Sequence, residues 1–275
     1  RRDTTPACMT RCADSLVLRR SMHPDSDVAI LGGGCAGLSL AMRLAESGAK
    51  GPKVVVLEER ALYVPDRTWC FWADDDTRLR HLAQHRWSSL AVADCQTRVT
   101  VDCRAAPYQM IPSDLFYAAA VRAIAQTPRI ELALNETVIS EPRKEDQRWR
   151  IETSTQVRYA KQIIDTRPPP RPEHESAILW QSFLGQEVTC ETARFDPDCA
   201  TLMDFSAGCE GTIAFLYLLP FSKQRALIEA TVFAPKPLGP SDLAARLEHL
   251  VRQQVGGAGF SVLRTEHGTL PMGQA

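Results

Sequence analysis

The sequence predicts an α/β protein in which a parallel βαβ unit is interleaved with a mostly antiparallel sheet. Three observations carry this expectation. An apolar run at 27–31 leads directly into a glycine-rich turn and then a stretch of helical period. A second apolar run at 53–57 ends on Glu58, about thirty residues after the first began, the length of a βαβ crossover. Beyond a proline-rich breaker at 167–172, strand-like segments follow one another, separated by turn residues.

The elements can be justified in order. Residues 1–21 carry several arginines and two cysteines, Cys8 and Cys12, without sustained periodicity, and Met22 stands just ahead of the first strand. They read as a disordered or non-native extension; a secretory signal would need a long apolar core after its basic residues. Residues 22–170 form the nucleotide-binding unit. Leu38, Ala41, Leu44 and Ala45 share one helical face, and Gly48 ends that helix. Ser113 or Asp114 is placed to cap a second helix, with Leu115, Ala118, Ala119 and Val121 turned inward. A strand at 130–134, a ribbon at 149–153 and 156–159, and a strand at 162–165 returning to the core sheet complete the unit. Residues 171–260 read as a β-sheet domain with strands at 177–183, 186–191, 201–205, 212–219 and 225–233. A helix capped by Ser241 follows, with Leu243, Leu247, Leu250 and Val251 on one face. Residues 261–275 begin a return to the first unit.

Composition narrows the function classes. The net charge of −1 offers no basic face for nucleic acid. The longest apolar stretches, such as 213–221, fall far short of the ~20 residues that a membrane-spanning helix requires. Nine cysteines without a CxxC pair read as free thiols in a reducing cytosol rather than a disulfide framework or zinc site. His81 and His85 stand four residues apart, but with no third ligand they read as a solvated helix face, and no metal site is expected.

The glycine turn carries the first chemistry. In Gly32-Gly33-Gly34-Cys-Ala36-Gly37 the first glycine of the G-x-G-x-x-G spacing permits a tight turn. The second admits a pyrophosphate to the backbone, and the third lets helix pack on strand. The helix start then offers unpaired N–H groups and a positive dipole end to phosphate. Glu58, about twenty residues beyond Gly37, stands where a carboxylate accepts ribose hydroxyls and disfavours a 2′-phosphate. A flavin or nicotinamide dinucleotide is expected, held by Gly32, Gly33, Gly34, Ala36, Gly37, Glu58 and Asp165, and the strand ending at Asp165 ahead of a separate sheet region favours FAD.

Several clusters exceed what core packing requires. Asp66-Arg-Thr-Trp-Cys-Phe-Trp72 places Trp69, Phe71 and Trp72 beside polar groups; Trp180-Gln-x-Phe183-x-Gly185 and Met203-Asp204-Phe205 add aromatic and acidic residues; Glu229 lies inside an apolar strand after the 215–220 run. Taken singly, the aromatics would be core and Glu229 an outward-facing strand residue. Together with the glycine turn, Thr68-Trp-Cys-Phe-Trp72, Tyr217-Leu-Leu-Pro220, Glu229-x-Thr231 and Glu266-x-Gly-x-x-Pro-Met272, they resemble the lycopene β-cyclase family over residues 27–272.

That resemblance implies a flavoprotein of the hydroxylase-like FAD fold that closes the ends of lycopene, a linear C40 carotenoid, into β-rings. It implies reduced FAD, NAD(P)H as the electron source, and an isomerisation without net redox change. It further implies peripheral contact with a membrane surface from the cytoplasm and proximity to other carotenoid enzymes. Glu229 matches the glutamate implicated in the acid step, Asp204 is a candidate supporting carboxylate, and Trp69, Phe71, Trp72, Trp180 and Phe183 are candidate substrate-lining residues. Family members continue past this chain into a second glycine-rich flavin-contacting segment, so weak FAD binding and lost activity are expected of the chain alone. A flavin monooxygenase or halogenase of the same fold is the competing reading, disfavoured by Asp165-Thr-Arg-Pro where hydroxylases carry Asp-Gly-x-x-Ser. A non-catalytic nucleotide- or carotenoid-binding remnant is the other.

Overall fold

The computed structural model describes residues 26–74, 78–168, 178–208 and 212–273. The N-terminal extension, most of the proline run and Cys209 lie outside them. The first half contains β1 (Ser26–Leu31), α1 (Cys35–Ala45), β2 (Val54–Leu57), β3 (Thr68–Trp72), β4 (His85–Trp87), β5 (Ser89–Ala93), β6 (Arg98–Asp102), β7 (Tyr108–Pro112), α2 (Ser113–Ala125), β8 (Ile130–Ala133), β9 (Arg143–Glu145), β10 (Arg148–Glu152) and β11 (Val157–Asp165). The second contains β12 (Leu179–Cys190), β13 (Cys199–Asp204), β14 (Ile213–Pro220), β15 (Arg225–Ala234), α3 (Pro240–Val255) and β16 (Phe260–Met272).

Among the described residues the strands form three sheets. The first runs β8-β2-β1-β11-β10-β9, with the first four strands parallel, as a Rossmann-like layer requires. The return of 162–165 to this sheet is confirmed by the pairing of Ile163 and Ile164 with Ala29 and Ile30. Leu38 and Ala41 of α1 and Phe116, Tyr117 and Ala120 of α2 cover one face of it. The second sheet has seven strands in the order β16-β12-β15-β14-β13-β5-β6, and α3 covers one of its faces through Leu243, Leu247, Leu250, Val251 and Val255. The third, β3-β7-β4, lies between the other two.

That small sheet is sandwiched. Trp69 and Phe71 of β3 and Ile111 of β7 pack toward the α1–α2 core. Cys70, Tyr108 and Met110 point the other way and pack with Trp87, Leu219 and Leu227 against the large sheet. The indole N–H of Trp87 donates to the Pro220 carbonyl (2.8 Å), fixing the contact.

Several expectations need correction. The large sheet is not confined to 171–260: β5 and β6 join it from the first half, and β16 runs along β12 as its edge rather than leaving for the nucleotide unit. The strands expected at 177–183 and 186–191 are one, β12, because Gly185 continues the ladder against Glu229. In α2 the buried face is Ser113, Phe116, Tyr117, Ala120 and Ile124, while Val121 is exposed. Ser113 and Asp114 lie inside that helix after the cap residue Pro112; the buried Ser113 hydroxyl instead accepts from the Asp66 and Arg67 amides. α3 is capped at Gly239, whose N–H donates to Asp242, so Ser241 lies in its first turn. His81 and His85 share no helix, since His85 belongs to β4 and stacks on Phe221 (4.6 Å).

Candidate functional site

The glycine turn sits at the C-terminal end of β1, at the mouth of a cavity of about 560 Å3. Gly32 turns with φ +95°, a conformation that favours glycine. A Cβ on Gly37 would stand 2.0 Å from the Gly32 carbonyl oxygen, so helix and strand meet only because that side chain is absent. Gly34, the N-cap of α1, faces open space and lines the cavity with Cys35, Leu57, Thr166 and Arg167. Ala36 is exposed and does not line it.

Glu58 is buried at the cavity wall, only 4% exposed, at the end of β2 where the spacing places it. Its carboxylate is already engaged. One oxygen accepts from the Gly33 amide (2.7 Å) and Arg60 Nη2 (3.2 Å), the other from the Arg60 amide (2.9 Å) and Nε (2.8 Å). Burial pushes this carboxyl up, but the Arg60 guanidinium and the two amides outweigh it and hold it below the usual range. Four donors fill the ordinary capacity of a carboxylate, so a ribose hydroxyl must share with or displace Arg60. Asp165, expected to face the nucleotide, is instead turned to its own neighbour: Arg167 donates to it through its amide (3.0 Å), Nε (3.0 Å) and Nη2 (2.7 Å). The groups that do line the cavity beside the glycines are Thr166 and Arg167, together with Arg60, Asp66, Trp69 and Tyr117. Thr166 ties the turn, its hydroxyl contacting the carbonyls of Leu31 and Gly32 at 2.9 Å.

A second, smaller cavity of about 120 Å3 lies beyond. Asp66 and Arg67, in the loop ahead of β3, line both, so this loop is a wall common to the two. The other walls of the smaller cavity include Thr68, Phe183, Tyr217, Leu227, Glu229 and Glu266. Sheet period explains the grouping. Glu229 is in register with Gly185 on one side and Tyr217 on the other, and Gly185 is in register with Glu266. Residues so paired share one face of the sheet. With no side chain at 185, the side chains of Leu227 and Glu229 close over that position: a Cβ there would stand 3.3 Å from Leu227 Cδ1 and 3.4 Å from Glu229 Cβ.

Glu229 is 7% exposed, and its carboxyl accepts from the Thr231 hydroxyl (2.8 Å). Burial pushes its pKa up to about 8, opposed by Thr231 and assisted by the charge of Glu266. At neutral pH the group is therefore held mainly as the acid. Neighbouring hydroxyl and thiol groups are kept neutral by the same burial. The Tyr217 and Tyr108 hydroxyls meet at 2.9 Å with both phenols pushed up, and the Cys70 thiol that they contact is raised to about 12.

The substrate-lining expectations divide by parity. Phe183 lines the Glu229 cavity, its ring lying over Gly268. Trp180 is three residues away, hence on the opposite face, buried in register with Ala234. Trp69 lines the nucleotide cavity, edge-on to Phe116 and Tyr117; Phe71 packs into the α1–α2 core, and Trp72 is 56% exposed against Tyr108. None of the three reaches Glu229's cavity. Asp204 pairs with Leu216 and so belongs to the α3 face, and its carboxyl accepts from the Ser206 amide (2.9 Å) at a turn. The aromatic extension of the Glu229 face comes from Phe205, the aromatic of the Met203-Asp204-Phe205 cluster, and from Phe215 and Phe233, none of them among the expected substrate-lining residues. Phe215 pairs with Thr231 and contacts Phe205 (5.4 Å) and Phe233 (6.1 Å). Glu266, Thr68 and Tyr217 were quoted only within longer motifs; their signal was the cross-strand register, which sequence does not display. Among the described residues no cluster of potential metal ligands occurs, and no helix is long and apolar enough to cross a membrane.

Comparison with solved structures agrees with this architecture. A geranylgeranyl bacteriochlorophyll reductase-like protein from Thermoplasma acidophilum superposes with a TM-score of 0.66 at 12% identity, covering 90% of this chain and 66% of that one. p-Nitrophenol 4-monooxygenase PnpA from Pseudomonas putida DLL-E4 gives 0.61 at 16% identity, covering 89% and 67%. The halogenase PltM, solved with phloroglucinol and FAD, gives 0.60 at 14% identity, covering 90% and 60%. This chain thus shares the fold of these proteins, an α/β architecture of the kind expected. Among sequences, a lycopene beta-cyclase of Pantoea ananas is 27% identical over 258 residues, 91% of this chain and 63% of that protein's length. A lycopene beta-cyclase of Paracoccus sp. (strain N81106 / MBIC 01143) is 31% identical over 113 residues, 41% of this chain and 28% of that one. The chain therefore spans less than two thirds of these relatives. The sequence profile of the lycopene cyclase proteins matches residues 27–275, and the chain belongs to that family.

Proposed function

We propose that this chain carries the FAD site and the acid site of a lycopene cyclase that closes linear polyene ends into β-rings by proton-initiated, redox-neutral cyclisation. The observation that carries this reading is Glu229: a buried carboxyl, held mainly protonated, in a cavity that shares the Asp66–Arg67 loop as a wall with the cavity at the glycine turn. The glycine turn fits a dinucleotide, since Gly34 faces open space at the start of α1 and Gly37 has no room for a side chain. Gly32, Gly34, Thr166 and Arg167 would hold the diphosphate, and Arg60 with Glu58 the ribose. When bound and reduced at the expense of NAD(P)H, the flavin would supply electron density that stabilises positive charge.

The chain's own residues supply the rest. Glu229 transfers its proton to one carbon of the terminal alkene, leaving a tertiary cation on the other. The electron pair of a nearby double bond forms the ring bond to that cationic carbon, the charge moves to the other carbon of that double bond, and a proton lost from the adjacent carbon to the Glu229 carboxylate restores a double bond. One proton enters and one leaves, so composition and oxidation state are unchanged. Cavity walls of Phe183, Leu227 and Tyr217 exclude water that would trap the cation. The face continues as Phe215, Phe233 and Phe205, rings suited to a hydrocarbon chain and, by cation–π attraction, to developing positive charge. A lipid-soluble substrate also implies peripheral contact with a membrane surface from the cytoplasm.

The test is cyclisation of lycopene by the full reading frame containing this chain, with dithionite-reduced FAD and no oxygen. The expected outcome is ring formation, falling at least a hundredfold in Glu229→Gln, the scale of general acid catalysis at its lower end. An absolute need for oxygen would move the assignment to a monooxygenase or halogenase. Unaltered turnover by Glu229→Gln would remove the glutamate from the mechanism.

A further inference from the structure

Glu266 is the second carboxyl of the inner cavity, and its surroundings differ from those of Glu229. One of its oxygens accepts from the Thr68 hydroxyl (2.9 Å) and pairs with Arg264 Nη1 (3.0 Å). Arg264 Nη2 in turn donates to Thr68 (2.8 Å), and its Nε reaches the buried Glu187 (3.4 Å), which also pairs with Arg225. This network joins β16 to the small sheet. It also places an ion-paired carboxylate on the same sheet face as the acid, with only β12 between their strands and Gly185, which has no side chain, as the intervening register position.

We propose that Glu266 is a positioning residue that keeps Glu229 in its proton-donating form, its negative charge, moderated by Arg264, opposing ionisation across Gly185. The inference rests on the reading of Glu229 as the acid. Other charged and titratable groups around this cavity are Asp66, Arg67, His267, Tyr217 and Cys70. Asp66 is engaged by Tyr117 (3.0 Å) and Arg60 (3.6 Å), and Arg67 donates to the Asp66 carbonyl (2.8 Å). Tyr217 and Cys70 are held neutral, so neither opposes ionisation of Glu229. Glu266 is thus the acidic side chain placed in line with Glu229 by strand register, and the charge of Glu266 raises the Glu229 pKa. The balance is adjustable, because Arg264 divides its charge between Glu266 and Glu187.

A titration of the protonated-carboxyl infrared band tests this directly, with Glu229→Gln identifying the band. In the unaltered chain the midpoint is expected near 8. Glu266→Gln preserves an acceptor for Thr68 but removes the charge; it should lower the midpoint by about one pH unit, a tenfold weaker hold on the proton. Glu266→Asp should restore it, and Thr68→Val, which loosens the clamp but keeps the charge, should leave it within a few tenths. Arg264→Gln should raise it, an opposite sign that serves equally if Glu266→Gln fails to fold. An unmoved midpoint in Glu266→Gln or Arg264→Gln, or an equal shift in Thr68→Val, overturns the proposal. Failure of the acid assignment is separable: Glu229→Gln would then still cyclise lycopene, whatever the titration shows.

Discussion

The α-carbon of Gly37 and the carbonyl of Gly32 approach more closely than any other substituted residue would permit, and that single contact sets the angle between α1 and β1. Gly37→Ala is therefore expected to cost about 3 kcal/mol or more in urea denaturation, since the clash is with backbone that cannot rotate aside. Gly34→Ala makes the useful contrast. Its φ of −78° suits any residue and open space surrounds it, so stability should change by no more than about 0.5 kcal/mol while flavin affinity, read by fluorescence quenching, falls. Equal destabilisation by both substitutions would contradict the separate roles given to the two glycines. These roles were legible in the sequence because they follow from backbone sterics within a few residues. The occupancy of Glu58 was not. Its partner Arg60 is nearby in sequence, but the closing Gly33 amide reaches it only once β1 and β2 lie side by side.

At the scale of elements, period decides what faces what. In β12 the residues Gln181, Phe183, Gly185 and Glu187 share the face with Glu229, while Trp180, Ser182, Leu184 and Val188 share the other with α3. A motif read as a string joined Trp180 to Phe183 although an odd spacing separates their faces. α2 shows a different failure. Leu115, Ala118, Ala119 and Val121 fit one helical face as well as Ser113, Phe116, Tyr117, Ala120 and Ile124 fit the next. The choice went to the face with the larger aromatic side chains, which bury more area against β1 and Trp69. α3, by contrast, was read correctly because its apolar stripe is narrow and the remaining positions are mostly polar. Leu247 on that stripe is 2% exposed. Leu247→Ala should destabilise the chain by about 2–5 kcal/mol, measured by urea denaturation, without altering flavin binding on the far side of the molecule. A change below about 1 kcal/mol would mean that α3 contributes little to holding the large sheet.

For the whole molecule, the small β3-β7-β4 sheet is the layer that joins the other two, because both grip it. One face packs on the Rossmann helices, the other on the large sheet, and the loop ahead of it walls both cavities. Burying an acid in this arrangement has a global consequence. With its folded pKa raised from an ordinary 4.5 to about 8, Glu229 stays protonated in the folded chain while it ionises in the unfolded one. Its contribution is thus fully present below about 4.5 and is lost as pH rises toward 8, at on the order of 1 kcal/mol per pH unit. Carboxylates held low by arginines, among them Glu58, Glu136 and Asp165, act in the opposite sense, their contribution fading as pH falls through the carboxylate range. Urea midpoints at pH 5.5 and 8 should therefore diverge more in the unaltered chain than in Glu229→Gln. A difference of the same size in both would show that Glu229 titrates as if in water.

What the amino-acid order determined by itself is local: the glycine turn, the βαβ crossover, the existence of most strands, and the family to which their motifs belong. These rest on sterics and periodicity within a few turns or strand lengths. Tertiary structure alone decided which side chains meet. Glu229, Gly185 and Glu266 are separated by tens of residues and come together only through the pairing of β15, β12 and β16. A carboxyl's burial, and hence its acidity, depends on neighbours that the chain brings from elsewhere, because desolvation and charge act through space rather than along the backbone.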